Sequence, residues 1–280
     1  MNSVEMSDLF EIMCRNYYQV WVSIASDPNH TPLGFGSGFM ILRNGHLYYV
    51  TADHVVNASN ESFKLNIDKD YIANIPTNKV DYKQLCSEQV YFSIDKTDEI
   101  YSLKIDDKGD PILDDRIDAY YRNLDEHLHT LFLTQGLIFS EDDIRYKGLQ
   151  KVIITEENME MELNREHTFS VFGMKECSIQ NGITVSGESI FHNGMTFKEE
   201  KGGQYCLEVG MTDENLDEKD WAGLSGSAVF DETTGKVIGM ALRYSPEYGY
   251  CWVMPIRQIL NFIDIDIDLR SKKHLENLNQ

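Results

Sequence analysis

Two short segments of this 280-residue chain carry residue types that together can attack a carbonyl group. One is Tyr49-Val50-Thr51-Ala52-Asp53-His54-Val55-Val56, the other Gly223-Leu224-Ser225-Gly226-Ser227-Ala228-Val229-Phe230. A serine hydroxyl is a poor nucleophile at neutral pH and needs a base within hydrogen-bond reach. Histidine suits that task, because its ordinary pKa of ~6.5 lets it both take and return a proton. A carboxylate must then orient the imidazole and stabilise its cation. Donors must also face the developing oxyanion, and a glycine just ahead of the nucleophile lets backbone N–H groups point there without a Cβ in the way. With Ser225 as attacker, the amides of Gly223 and Ser225 supply that hole. Ser227 competes as the attacking serine. The plain alternatives are a satisfied histidine at a strand end and turn serines in a Gly/Ser-rich loop.

Such groups need a rigid frame. Residues 3–15 put Met6, Phe10 and Met13 near helical spacing, with Ser3 or Ser7 as caps, which predicts a short leading helix. From Tyr17 the texture changes to alternating β-branched and aromatic residues. Strands are predicted over 17–26, 39–42 and 47–51, the last two joined by an Asn44-Gly45 hairpin turn, and over 63–67, 90–94 and 101–105. Residues 106–143 are mixed and acidic, holding the end of one β unit and the linker to the next. A second β-rich run covers 152–155, 168–172, 183–187, 205–210, 227–230, 237–242 and 250–253, and a helix over 255–263 closes it, with Pro255 in its first turn. Strands at this spacing predict barrels or sandwiches rather than alternating α/β units.

The two segments, with Gly36-Ser37-Gly38-Phe39 before the first and Gly235-Lys236-Val237-Ile238-Gly239 after the second, resemble the chymotrypsin-like serine peptidases. They are most similar to the HtrA-like branch, which lacks disulfides. Phe169-Ser170-Val171-Phe172-Gly173 and Gly249-Tyr250-Cys251-Trp252-Val253-Met254-Pro255-Ile256 fit the same pattern, so the resemblance covers about residues 17–263. It implies an all-β fold of two six-stranded antiparallel β-barrels, with a short N-terminal and a C-terminal helix. Residues 1–140 would form the first unit, carrying histidine and aspartate, and 141–280 the second, carrying serine. It also implies that Ser225, not Ser227, is the nucleophile and that the acid lies between His54 and Ser225. Asp118, in Asp114-Asp115-Arg116-Ile117-Asp118-Ala119-Tyr120-Tyr121, is the chosen acid; Asp115 is the runner-up, and Asp106 and Asp107 trail. The family's aliphatic run after the acid is here Ala-Tyr-Tyr. Asp53 is set aside, since side chains of chain neighbours diverge.

By the same resemblance the pocket floor is Lys219 and the walls are Ala241, Leu242, Arg243 and Tyr244. Lys219 or Arg243 would favour an acidic residue at the cleavage site, and no preference for arginine or lysine is expected. Leu224 stands where zymogen-activated relatives carry the aspartate that pairs with a new N-terminal amine, so activity would be constitutive or controlled by loop ordering or a partner. With 280 − 263 = 17 residues after the closing helix, no PDZ domain is expected. The expected activity is an intracellular serine endopeptidase acting on a protein or peptide substrate, with a regulatory protein partner in view. The alternative is a catalytically inactive protease-fold binding module, or a protease held inactive until a partner orders its site. An α/β-hydrolase esterase is disfavoured, because His54 precedes Ser225 and the context is β.

Composition narrows the classes further. The 25 basic residues against 46 acidic ones give a net charge of −21, which repels phosphates, and the only dense basic cluster is Arg270-Ser271-Lys272-Lys273-His274. No nucleic-acid partner is expected. No stretch approaches the ~20 apolar residues of a membrane helix, and no signal peptide is evident, so no membrane association is expected. Five scattered cysteines without a Cys-x-x-Cys pair favour free thiols and a cytoplasmic location. The one close histidine pair, His127 and His129, lacks a metal-site pattern, so neither a metal nor another cofactor is expected.

Overall fold

In the computed structural model, which describes residues 4–24, 26–29, 31–56, 71–76, 91–95, 101–105, 111–125, 153–180, 184–210 and 221–278, Asn44-Gly45 makes the turn its composition predicts. Their φ angles are 51° and 82°, the left-handed pair that a two-residue hairpin needs to match strand twist. The turn joins β2 (Gly34–Arg43) to β3 (His46–Thr51), with Gly38 opposite Thr51. β1 (Tyr18–Ile24) pairs with the far side of β2, and β4 (Tyr71–Pro76) and β5 (Tyr91–Asp95) follow outward. A hairpin of β6 (Tyr101–Ile105) and β7 (Pro111–Arg116) stands apart, and β8 (Tyr120–Asn123) returns to pair with β3. The first unit is thus a six-stranded antiparallel sheet in the order β5-β4-β1-β2-β3-β8.

The second unit is built from β9 (Thr168–Gln180), β10 (Thr184–Lys201), β11 (Gln204–Glu208), β12 (Ala228–Asp231), β13 (Val237–Ser245) and β14 (Tyr250–Pro255). They close into a barrel in the order β10-β11-β14-β13-β12-β9. The chain is therefore mostly β with a helix near each end, the expected class. One unit is a closed barrel. The other is a half-barrel, whose outer strands β5 and β8 do not pair with each other among the described residues. The predicted strand over 63–67 and the 140/141 boundary lie outside the described residues.

The two helices differ from expectation in instructive ways. α1 spans Met6–Asn16 with Glu5, not Ser3 or Ser7, at its N-cap, and it buries Leu9, Met13 and Cys14 while Met6 is exposed. The closing helix does not stop near residue 263. After the short α2 (Asp53–Val56), the third helix, α3, runs Ile256–Leu278. Its extension is held by Arg43, whose Nε and Nη2 donate to Asp264 Oδ1 and Oδ2, each at 2.8 Å, and by Tyr48, whose hydroxyl donates to Asp266 Oδ2 at 3.0 Å. Hydropathy alone would not extend a helix through Asp264-Ile265-Asp266-Ile267-Asp268, because Asp264 and Asp266 find their partners only in the fold.

Two apolar clusters form the core. One fills the second barrel with Phe169, Val171, Leu207, Val229, Ile238, Cys251 and Val253. The other joins α1, the first sheet and α3 to the outer face of that barrel through Phe172, Phe230, Met240, Leu242 and Met254. Alternation along β12 divides its side chains, Val229 facing the barrel interior and Ala228 and Phe230 the shared cluster.

Candidate active site

His54 sits on α2, a single turn following β3, with its side chain one-third exposed. Because β8 pairs with β3 so that Tyr120 faces Thr51, the residues just before Tyr120 run beside those just after Thr51. That register brings Asp118 to His54. Asp118 Oδ1 accepts the His54 backbone N–H at 3.0 Å, and both of its oxygens lie 2.9 Å from His54 Nδ1. An ionised carboxylate accepts only, so Nδ1 carries a proton, and in the neutral ring this leaves the lone pair on Nε2. Nε2 makes no hydrogen bond to another described residue. Asp53 is buried at the start of α2. Asp115 belongs to β7, whose ladder partner is β6; Asp106 and Asp107 lie outside the described residues.

Ser225 stands on the turn between Trp221 and β12. Gly223 has φ 89° and Gly226 φ 91°, a conformation that costs glycine little. A Cβ would lie 2.3 Å from the Met174 carbonyl oxygen at Gly223, and 2.0 Å from the Ser37 carbonyl oxygen at Gly226. Glycine is required twice over at both positions. Leu224 is buried in the barrel interior, where apolar packing anchors the turn. The amides of Gly223 and Ser225 donate to no other described residue.

Ser37 connects the halves. Its N–H donates to the Ser225 carbonyl at 3.0 Å, its hydroxyl donates to the Gly223 carbonyl, and its own carbonyl accepts the Thr51 hydroxyl at 2.6 Å. One fully buried residue of β2 thus holds the peptide groups on both sides of the Ser225 turn. In the sequence Ser37 is one residue of the Gly36-Ser37-Gly38-Phe39 motif, with no role that the motif assigns to it. The signal lay in its side chain, a hydroxyl in an otherwise glycine-rich approach.

The Ser225 hydroxyl donates to the Leu242 carbonyl at 2.9 Å, not to His54. That acceptor exists because β13 bulges. Its register to β14 steps from Ala241↔Val253 to Arg243↔Trp252, leaving Leu242 the extra residue. Consecutive carbonyls then face the same turn, Ala241 accepting the Gly226 N–H at 2.8 Å and Leu242 the Ser225 hydroxyl. The Leu242 side chain lies in the shared core, while Arg243 is exposed with its guanidinium 5.2 Å from the centre of the Trp252 ring. Ser227 is buried beneath the turn. Lys219, His127 and His129 lie outside the described residues.

No family model matches the chain, and neither does any curated protein. Among solved structures it is similar to a serine endoprotease from Yersinia pestis, at 10% identity and TM-score 0.41, with 91% of this chain covered. The chain spans just under two thirds of that protein's length, 65%. It is also similar to a human heparin binding protein, at 12% identity and TM-score 0.46, covering 94% of this chain and 93% of that one.

Proposed function

We propose that the chain is a serine endopeptidase of the chymotrypsin-like class, closest in its motifs to the HtrA-like branch, working through His54, Asp118 and Ser225. The observation that carries the reading is the Asp118 carboxylate, which grips both the ring and the backbone of His54 across 64 residues of sequence. A solvated turn acid has no reason to make both contacts. In the proposed cycle Nε2 takes the Ser225 proton as Oγ attacks the substrate carbonyl, and the Gly223 and Ser225 amides receive the oxyanion. The imidazolium then protonates the leaving amine, and water enters by the reverse path to release the acid.

A second reading has its own observation: the Ser225 hydroxyl rests on Leu242. That fits a binding module or a protease awaiting a partner. The energetics favour the enzyme. Giving up one neutral hydrogen bond costs about 1 kcal/mol, roughly a fivefold rate effect against accelerations of about 10⁶ or more. The free thiols of Cys14, Cys206 and Cys251 support a reducing, intracellular setting, which belongs to this proposal, as does a protein or peptide substrate.

Labelling with a fluorophosphonate tests the reading. Wild type and Ser227→Ala are expected to label, Ser225→Ala to lose labelling outright, and Asp118→Asn to slow it by about 10⁴-fold, since the amide favours the wrong imidazole tautomer. A folded wild type that stays unlabelled puts the binding module in its place.

A further inference from the structure

We propose that the slot which would receive the acyl-side residue of a substrate is filled by the chain's own aromatic rings, so that the site acylates only on residues as small as glycine or alanine. This rests on the serine peptidase reading above. With a substrate carbonyl on Ser225 Oγ and its oxygen toward the Gly223 and Ser225 amides, His54 takes the leaving-group side. The acyl residue's side chain must then enter between the run leading into Ser225 and the facing part of β13. The hydrogen bond from Ser225 Oγ to the Leu242 carbonyl shows how near those walls stand.

Rings from both walls occupy that space. Trp221, from the run before Ser225, stacks on Tyr244 of β13 with centroids 4.4 Å apart and planes 11° from parallel. His192 of β10 stacks on the same indole at 4.0 Å with planes parallel. All three residues are buried, at 7% exposure for His192, 6% for Trp221 and 8% for Tyr244. Leu224, Ala241 and Cys251 belong to the cluster that Trp221 and Tyr244 join, Leu224 from below the turn and the other two from β13 and β14. Tyr244 reaches this interior because the Leu242 bulge shifts the alternation of β13, placing Ala241 and Tyr244 on one side. Three stacked, close-packed rings do not compress to admit a fourth. A phenylalanine-sized group would have to expel one of them into water, whereas a methyl group makes no such demand.

The test compares the p-nitrophenyl esters of acetyl-alanine and acetyl-phenylalanine, each corrected for hydrolysis in buffer, beside the fluorophosphonate. In the step followed, the Ser225 Oγ–carbonyl bond forms and the bond to p-nitrophenolate breaks. The hydroxyl proton passes to His54 Nε2, and water later hydrolyses the acyl-enzyme. Wild type is expected to favour the alanine ester by roughly 100-fold or more in kcat/KM. Tyr244→Ala is expected to cut that preference at least tenfold, and Tyr244→Phe, which keeps the ring, to retain it. Fluorophosphonate labelling together with equal or faster use of the phenylalanine ester overturns the proposal and leaves the serine reading standing. A folded wild type inert to all three reagents overturns the serine reading and this proposal with it. Should Tyr244→Ala fail to fold, the wild-type preference alone decides.

Discussion

Ser37 stands in the first sheet, yet it bonds both peptide groups that flank the Ser225 turn. An oxyanion site depends on donors fixed before the reaction, so a group that fixes the peptides adjoining those donors acts on the transition state without touching it. Ser37 is in this sense a positioning residue. Ser37→Ala removes the donor to the half-buried Gly223 carbonyl and is expected to cost ~1 kcal/mol of stability. It should also lower kcat on the acetyl-alanine ester by about tenfold while KM stays within about twofold, because ground-state binding does not use the hole. The rate should be expressed per fluorophosphonate-titrated site, so that unfolded molecules do not count. An unchanged rate per titrated site would reduce Ser37 to a purely structural tie.

At the scale of elements, α3 is the least expected piece and the one most dependent on charge. Its outer turns carry Asp264, whose carboxyl is held below the usual range by hydrogen bonds from Arg43, against burial and with added help from the Arg43 charge. Nearby, burial pushes the Asp125 carboxyl up, but hydrogen bonds from His46, the Leu47 amide and Asn123 outweigh it and leave it lowered. A depressed carboxylate pKa contributes stability above its ordinary value near ~3.9, and that stability is lost as pH falls through the lower folded-state value. Because the Asp264 side chain is 38% exposed, solvent screening limits the pair to about 0.5–1 kcal/mol. The protection of the α3 amides, their exchange measured against the intrinsic rate at the same pH, is therefore expected to fall as pH drops below ~5 and to keep falling through the carboxylate range. Asp264→Asn should exchange faster at pH 7 and respond less to acid. Equal protection in both proteins at both ends of the range would remove Arg43 as the anchor.

The same scale explains what could be read from the chain itself. The Asn44-Gly45 turn, the strand core around Tyr101–Ile105 and the pattern around His54 and Ser225 are local, set by turn chemistry and alternation. Asp118 lacked the expected aliphatic neighbours, and only the Thr51–Tyr120 register shows why it meets His54. β4 and β7 were not anticipated; each has a proline at one end, Pro76 and Pro111, which blurs a strand signal. No spacing rule joins His192 to Trp221, or Ser37 to Gly223, 186 residues away. The first contact exists only once the barrel has closed, and the second only once the two sheets have been folded against each other.

Over the whole molecule, the candidate site straddles two sheets, with His54 and Asp118 on one and Ser225 on the other, so it exists only while they are docked. The shared apolar cluster binds them. It includes Leu9, Met13 and Cys14 of α1, Met40 and Tyr48 of the first sheet, Phe230 and Met254 of the barrel, and Ile259 and Ile263 of α3. Opposing it is the self-repulsion of a net charge of −21. Separating the halves would open this cluster to water at about 25 cal/mol per Å² of apolar surface, which argues for unfolding as one unit. Two buried thiols can report on that. Cys14 belongs to the shared cluster and Cys251 to the barrel interior, where burial pushes its thiol up to about 12. Both are expected to resist alkylation in the native protein and to become reactive at the same urea midpoint. Met13→Ala, which opens a cavity in the shared cluster alone, is expected to cost ~2–5 kcal/mol and to move both midpoints equally. If Cys14 became reactive at a lower urea concentration than Cys251, the halves would be separable, and the site would be lost before the barrel that carries Ser225 unfolds.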